Sequence, residues 1–371
     1  MPVKVIRNLF RRFFFILNCI IAVIFLFSCL VPYLNTQAWW FTGFLGLLTP
    51  YLVILLLLFV FFWLVFKPFF SLLSLVVLLV GYKQISVLFA FNKNQTFVQK
   101  KQINHLRLVD WNIRSFKGLS QQGYKKRADR VSAAEVILQE KPDIICLQEF
   151  NHSTAQNNIN LFKKDFPYYF FSRDFERKSS GYEAGSIIFS RYPIVDSGKY
   201  QYPGNLGESL IYADIVVKAD TIRIFTTHLQ SFRFTQQDYE RMETIKRTEE
   251  QSLNASLSLA QKMKRAFTRR GVQTTIVRNA LNASPYPSLI CGDFNDVPNS
   301  FTYFQIRAEW QDAFLATSLG IGSTYLGLAP TLRIDYVLPD TNFFIHQFDM
   351  VDEGLSDHLM LVTDISLKKP L

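Results

Sequence analysis

The sequence predicts an α/β or α+β sandwich carried behind a set of apolar helices, and three observations predict it. Residues 13–66 hold no charged side chain, and apolar runs continue to Phe91. From His105 onward, short β-branched runs alternate with runs of helical period, the pattern of strands and helices mixed in one domain. The polar motifs of this part sit at the ends of the apolar runs, so each projects from a strand tip. The 371 residues divide into a membrane region at 1–91, a polar linker at 92–104 and one domain at 105–371, long enough to bury a sizeable core.

Taken in order, the first apolar run covers residues 13–34 and is long enough to cross a bilayer as a helix. A polar break at Asn35-Thr36-Gln37 follows, then Trp39-Trp40, aromatics of the kind found at membrane interfaces. A second run covers 41–66 and stops at Lys67-Pro68. The third, 69–82, reaches spanning length only if it continues past Lys83 to Phe91. Three transmembrane helices are expected, with two spans plus an interfacial segment as the rival count. Lys4, Arg7, Arg11 and Arg12 precede the first span, the loop at 35–40 has no Lys or Arg, and Lys67 follows the second span. Positive residues stay inside, so three spans put the N-terminus in the cytoplasm and the large domain outside it. Lys93, Lys100 and Lys101 argue the other way. The expected location is a bacterial inner membrane. A cleaved signal peptide would explain Arg11-Arg12 and the first run but not the next two. Leu26-Phe27-Ser28-Cys29 is a poor lipoprotein cleavage site, because Phe27 fits badly and apolar sequence follows.

The net charge of +10 is a local property. Nine of the 40 basic residues lie within 1–101, which hold no Asp or Glu, leaving 31 basic residues against 30 acids in the remainder. A nearly neutral domain does not carry the broad basic surface typical of nucleic-acid binders. Cys19 and Cys29 fall in the first apolar helix, and Cys146 and Cys291 in strand runs, where small buried residues are expected. No C-x-x-C spacing exists, so the cysteines do not identify a redox compartment.

Strands are expected over 105–112, 144–147, 185–189, 211–217, 222–227, 289–291, 334–338 and 360–365. Helices are expected over 128–139, with Val131, Ala134 and Leu138 on one side, and through most of 235–283. The motifs at the strand ends read Asp110-Trp111-Asn112, Leu147-Gln148-Glu149, Thr227-His228-Leu229, Gly292-Asp293-Phe294-Asn295, Arg333-Ile334-Asp335-Tyr336 and Ser356-Asp357-His358. Carboxylates, amides and imidazoles gathered in this way suit a hard divalent metal and an attacking water. Asp293 and Asn295, two apart on an extended segment, face the same way, and Phe294 faces oppositely into the core.

Six motifs in this order, with Ser190-Arg191-Tyr192-Pro193-Ile194 also matching, resemble the endonuclease/exonuclease/phosphatase superfamily over residues 105–367. That superfamily includes pancreatic deoxyribonuclease, exonuclease III-type repair nucleases, sphingomyelinases and inositol polyphosphate 5-phosphatases. The resemblance implies a four-layered α/β sandwich, two packed sheets with outer helices and an active site at one edge. It implies a Mg²⁺-dependent (or Mn²⁺-dependent) phosphoester hydrolase with Glu149 as metal ligand, helped by Asn112 and Asp357. Asp293 and Asn295 would position and deprotonate the water, His358 paired with Asp335 would contact the scissile phosphate, and His228 would be a second donor. His105, His152 and His346 have no comparable context.

Three features stay open. Tyr182 begins a segment that resembles one near the substrate in the family. Ser323-Thr324-Tyr325 is a candidate pocket lining, with Thr324 as its candidate substrate-binding residue. Arg269 belongs to a stretch, 251–292, with six basic residues and no acid, which is either a solvated helical face or a contact for anionic lipid or nucleic acid. The substrate class is open among phospholipid head groups, nucleic acid and small phosphate esters. Membrane lipids are expected partners, and the sequence suggests no protein partner. A membrane-tethered nuclease and a catalytically inactive membrane scaffold are the alternatives; the complete motif set disfavours the scaffold.

Overall fold

The computed structural model describes residues 3–92, 96–116, 126–204, 207–245 and 252–368. Helices α1 (Val3–Ser28), α2 (Thr42–Phe66), α3 (Ser71–Val80) and the one-turn α4 (Tyr82–Ile85) come first. The chain continues through β1 (Ala90–Phe91), β2 (Leu106–Asn112), α5 (Lys126–Gln139), β3 (Ile144–His152), β4 (Tyr168–Phe171), β5 (Phe175–Arg177) and β6 (Tyr182–Ser190). Next are β7 (Ile194–Gln201), β8 (Ser209–Val217), β9 (Asp220–His228), α6 (Gln236–Ile245), α7 (Ser252–Asn282), β10 (Ser288–Asp293), α8 (Phe301–Arg307) and α9 (Ala313–Thr317). The last are β11 (Leu319–Gly320), β12 (Asp335–Pro339), β13 (Phe343–Val351) and β14 (Met360–Leu367).

Adjacent residues of the central strands enter different cores, and that alternation sets the layers. Leu108, Cys146 and Ile188 face Ile211, Ile224 and Cys291 between two sheets. Their neighbours Val109, Ile145 and Leu147 pack outward on Ala133, Ala134 and Ile137 of α5. Phe225 and Ile290 pack outward on the other side, against Val277 and Leu281 of α7 and Tyr303 and Ile306 of α8. Helix, sheet, sheet and helix give the four layers. One sheet is ordered β12-β10-β9-β8-β7, and the other β13-β14-β2-β3-β6-β4 with β5 on β6. Cys146 and Cys291 are buried core residues, and all four cysteines are free thiols.

Several strands had no clear sequence signal. β7 is an edge strand of its sheet with mostly exposed and half-buried residues, and β13 is an edge strand of the other. An edge strand with one wet side lacks the apolar run by which buried strands announce themselves.

The stretch at 92–104 is less of a free linker than expected. The buried Arg107 guanidinium is paired with Asp364 at 2.7 Å and also donates to the carbonyls of Val98 and Gln99. Removing one partner of such a buried pair typically costs about 3–5 kcal/mol. β1 pairs with β11, and Ala90 lies in the core between the sheets. Residues 90–91 therefore pack with the sandwich rather than with the apolar helices. Lys93 lies outside the described residues.

Among the described residues, two helices are long and apolar enough to cross a membrane, α1 with its continuation to Tyr33 and α2. α3 is shorter than the third span expected from sequence, at 10 residues. It nonetheless runs alongside α1: Phe70 meets Phe15, Ser74 Oγ donates to Asn18, and Gly81 lies against Phe25 and Cys29. The chain thus returns to the end of the bundle that carries the loop between α1 and α2. The sandwich docks on that end. Asn299 Nδ2 donates to the Ser28 carbonyl at 3.1 Å and to Thr49 Oγ1 at 2.8 Å. A Cβ on Gly46 would lie 2.6 Å from the Asn299 carbonyl oxygen, so only glycine permits this approach.

Candidate active site

Topology brings six chain segments to one edge of the sandwich. β9 and β10 are parallel and end there with His228 and Asp293 in register. β12 is antiparallel to β10 and so begins there, with Asp335 across from Asp293. In the other sheet, parallel β2 and β3 run toward the same edge, carrying Asn112 and Glu149, while antiparallel β14 starts there just after His358.

Local backbone devices then aim the side chains. β3 pairs with β6 at Leu147–Ile187 and next at Phe150–Gly185, leaving one extra residue on β3. Glu149 sits in this bulge with φ +51°. A bulge breaks the alternation of a strand and re-aims a side chain, here into the cleft. The left-handed conformation costs a non-glycine residue about 1–3 kcal/mol. Gly292 has φ +132°, and a Cβ there would lie 2.1 Å from the Thr227 carbonyl oxygen. The close approach of β10 to β9 needs this glycine.

Asp293 is held from several sides. Asn112 Nδ2 donates to its Oδ2 at 3.0 Å, and Asn295 donates through its backbone N at 2.8 Å and its Nδ2 at 3.1 Å. Asn295, itself at φ +52°, is anchored on the Leu229 carbonyl. The Nε2 atoms of His228 and His358 lie 3.6 and 3.8 Å from Asp293 Oδ2. Burial pushes the Asp293 carboxyl up to about 6, Asp335 adds to the shift, and the two histidines oppose it. Phe294 is buried against Tyr336, on the opposite side as its position dictates.

His358 Nδ1 lies 2.9 and 3.0 Å from the two oxygens of Asp335, which stands behind it and outside the cleft lining. Burial works against charge on this imidazole, but Asp335 and then Asp293 outweigh it and raise the ring to about 10. At neutral pH His358 is therefore an imidazolium whose Nε2–H remains as a donor. Trp111 Nε1 donates to the His358 carbonyl at 2.8 Å, and Ser356 Oγ to the Asn112 carbonyl at 2.7 Å. Gln148 Nε2 donates to Asp110 and, across the seam between the sheets, to Thr226. The site straddles the two sheets, and buried hydrogen bonds lock it.

Asn112, Glu149, His228, Asp293, Asn295, Asp357 and His358 line a cleft of about 280 Å³. A second hollow of about 280 Å³ adjoins it and shares Glu149, His228, Ser231 and Arg233. None of the three substrate candidates lines either hollow. Thr324 is buried, and its Oγ1 accepts from the backbone N–H groups of Ile334 and Asp335. It fixes the start of β12 instead of touching a ligand. Arg269 donates to Gln230, and Tyr182 packs on Phe175 at the start of β6. The basic stretch is partly spent inside the protein: Arg270 is buried beside Asp296, and Lys262 pairs with Asp238.

Tyr325, the last residue of the Ser323-Thr324-Tyr325 candidate, does line the cleft: it packs on the His358 ring at 5.0 Å and meets the Tyr239 hydroxyl at 3.1 Å. Other lining residues escaped sequence reasoning. Arg114 pairs with Asp357 at 3.4 Å. Leu47 reaches the cleft from α2, and nothing in its sequence context marks it.

The donor set fits a hard divalent cation. Glu149 has no hydrogen-bond or ion-pair partner for its carboxylate among the described residues, and Asn112 and Asp357 add oxygens to the same cleft. The donor atoms of Asp293, Asp335 and His358 lie within 4.8 Å of one another, but a protonated imidazole bound to a carboxylate is a poor ligand, because metals take the neutral ring. The Glu149 side of the cleft is the better seat.

A sequence model of the Endonuclease/Exonuclease/phosphatase family matches residues 111–358. A second, described only as a domain of unknown function, matches residues 11–88. No curated protein sequence matches the chain. Among solved structures, an endonuclease/exonuclease/phosphatase from Beutenbergia cavernae is similar at 21% identity and TM-score 0.51, over 71% of this chain and 72% of that one. The human Nocturnin catalytic domain, with bound sulfate, is similar at 18% identity and TM-score 0.50, over 71% and 94%. At these identities the likeness shows the fold alone.

Proposed function

Because this chain belongs to the endonuclease/exonuclease/phosphatase family, we propose that it is a membrane-anchored, Mg²⁺-dependent phosphoester hydrolase that directs water onto phosphorus. The observation that carries the reading is the triangle of Asp293, His358 and Asp335 at the seam, with Glu149 and Asn112 in the same cleft.

Asp293, near-neutral in proton affinity and fixed by Asn112 and Asn295, takes a proton from the attacking water. The water oxygen bonds to phosphorus, the bond from phosphorus to the ester oxygen breaks, and the departing alcohol gains a proton from solvent. His358, kept charged by Asp335, and His228 donate to the phosphoryl oxygens, where negative charge grows in the transition state. Glu149, Asn112 and Asp357 would hold the cation, which when bound neutralises phosphoryl charge.

Anchoring is supported by helix length and surface. A 25-residue helix such as α2 rises about 38 Å, more than the roughly 30 Å hydrocarbon core of a bilayer. Large apolar residues on its outside, including Ile54, Phe61 and Val65, are exposed, as a lipid-facing helix requires. With Arg11 and Arg12 held in the cytoplasm, docking of the sandwich on the opposite end of the bundle supports an extracytoplasmic catalytic domain.

The test uses the full-length chain purified in detergent. Release of nitrophenolate from bis(p-nitrophenyl) phosphate is expected with Mg²⁺ or Mn²⁺ and lost in chelator. Unchanged turnover without metal would refute the metal dependence; reporter fusions after Asn104 that are active only in the cytoplasm would refute the orientation.

A further inference from the structure

The geometry points to an amphiphilic substrate: a phosphate ester bearing a long hydrocarbon chain, drawn from the membrane surface with its chain against α2. This rests on the hydrolase reading above and names the substrate class of the same site.

The cleft has two kinds of lining. Beside the polar groups already described and Asp296, Leu47, Phe232, Phe234, Val297, Leu328, Leu332 and Ile334 supply apolar side chains. Leu47 belongs to α2, a helix long and apolar enough to cross a membrane. The wall of the cleft is thus continuous with the surface that faces lipid. One turn further along, the Tyr51 hydroxyl lies 3.4 Å from Thr331 Oγ1, so the loop bearing Leu328 and Leu332 flanks the same helix. On that loop Leu326 is 48% and Leu328 54% exposed, large apolar side chains beside a helix whose own Leu48 and Tyr51 are exposed too. An apolar patch of this kind marks a binding surface. Carbon borders the path from the helix surface to the catalytic residues.

The adjoining hollow has no large apolar side chain in its lining. Glu208, Arg233, Ser186 and Ser231 border it, and it meets the first hollow at Glu149 and His228. A phosphorus at that junction has one ester arm directed to the apolar wall and the other to a polar pocket, which is the shape of a lipid with a head group. Lys264, 4.7 Å from the Trp40 ring, sets a cation where the sandwich meets the loop between α1 and α2, at the level of lipid head groups.

The experiment compares p-nitrophenyl phosphodiesters whose second alcohol is methanol, octanol, hexadecanol or the 5′-hydroxyl of thymidine. The full-length chain is assayed in detergent micelles with Mg²⁺, and nitrophenolate release is read. The expected result is a kcat/KM that rises at least about tenfold from the methyl to the hexadecyl ester, as apolar burial grows with chain length. Leu47→Gln and Leu328→Gln should each cut the hexadecyl-to-methyl ratio by about fivefold or more. Leu328→Gln changes an exposed loop residue, so it serves even if the helix variant misfolds. Hydrolysis of the methyl ester with no gain along the series overturns this inference alone. A ratio unmoved in both variants also overturns it, since micelle partitioning would then explain the gain. A preference for the thymidine ester would give the wall to bases stacking on Phe232 and Phe234. No release from any ester would sink the hydrolase reading and this inference with it.

Discussion

The two sides of the cleft are built by different physics. On the polar side nearly every catalytic candidate is fixed by named hydrogen bonds: Asp293 by Asn112 and Asn295, His358 by Asp335. On the apolar side, Leu47 and Leu328 make no side-chain hydrogen bond and are placed by the docking of α2 and the 326–332 loop, through contacts such as Gly46 against Asn299 and Tyr51 against Thr331. The first side should lose chemistry when altered and keep its stability. The second should lose stability or selectivity and keep its chemistry.

The largest expected effect tests the polar side. Asp293→Asn and His358→Ala should each lower turnover by about 10²- to 10⁴-fold, while the melting temperature stays near that of the parent. A melting temperature that collapses along with activity would mean that these groups hold the fold, and the contrast would fail.

The pH profile sharpens the same side. With Asp293 at about 6, kcat/KM should fall on the acid side as the base is protonated below that value. With His358 at about 10, the alkaline fall should come only there. The ring's affinity is raised above the usual His value of about 6.5. Its stabilising contribution is therefore complete below that value and lost as pH climbs through about 10. Asp335→Asn should bring the alkaline limb toward neutrality, because it removes the leading charge that holds the imidazolium, and lower the acid limb. Limbs that do not move would separate His358 from the rate.

On the docking side, Gly46→Leu should destabilise the protein by about 1–3 kcal/mol through overpacking, read by thermal unfolding in detergent. Nitrophenolate turnover per folded molecule should change far less than in Asp293→Asn. Thr324→Val leaves two backbone donors unmet, at about 1–3 kcal/mol each, and should do so without a change in KM. Arg269→Gln should stay within about 0.5 kcal/mol and leave KM alone; a clear rise in KM would return this residue to the substrate site.

Much of the polar side was legible in sequence. Asp293 and Asn295 announce themselves because a buried strand run feeds Gly292-Asp293, and the two-residue spacing puts Phe294 on the other face. Glu149 was legible as a strand-end acid, but the bulge that turns it into the cleft was not, since a one-residue slip depends on the partner strand β6. Edge strands β7 and β13 were hidden for want of an apolar run. The third apolar helix read longer than it is because residues 86–91 are apolar for another reason: Val87 and Ala90 pack in the sandwich.

The layering came from the family resemblance, but by itself the sequence determined a domain of mixed strands and helices, the apolar helices and the chemical types at the strand ends. These are properties of local spacing, and a strand or helix carries its period wherever it lies. Tertiary structure alone decided that Glu149 turns into the cleft from a bulge, that Thr324 is a brace for β12, and that Leu47 joins the catalytic cleft. Each of these depends on two segments far apart in the chain coming within a few ångströms, a relation that no local pattern encodes.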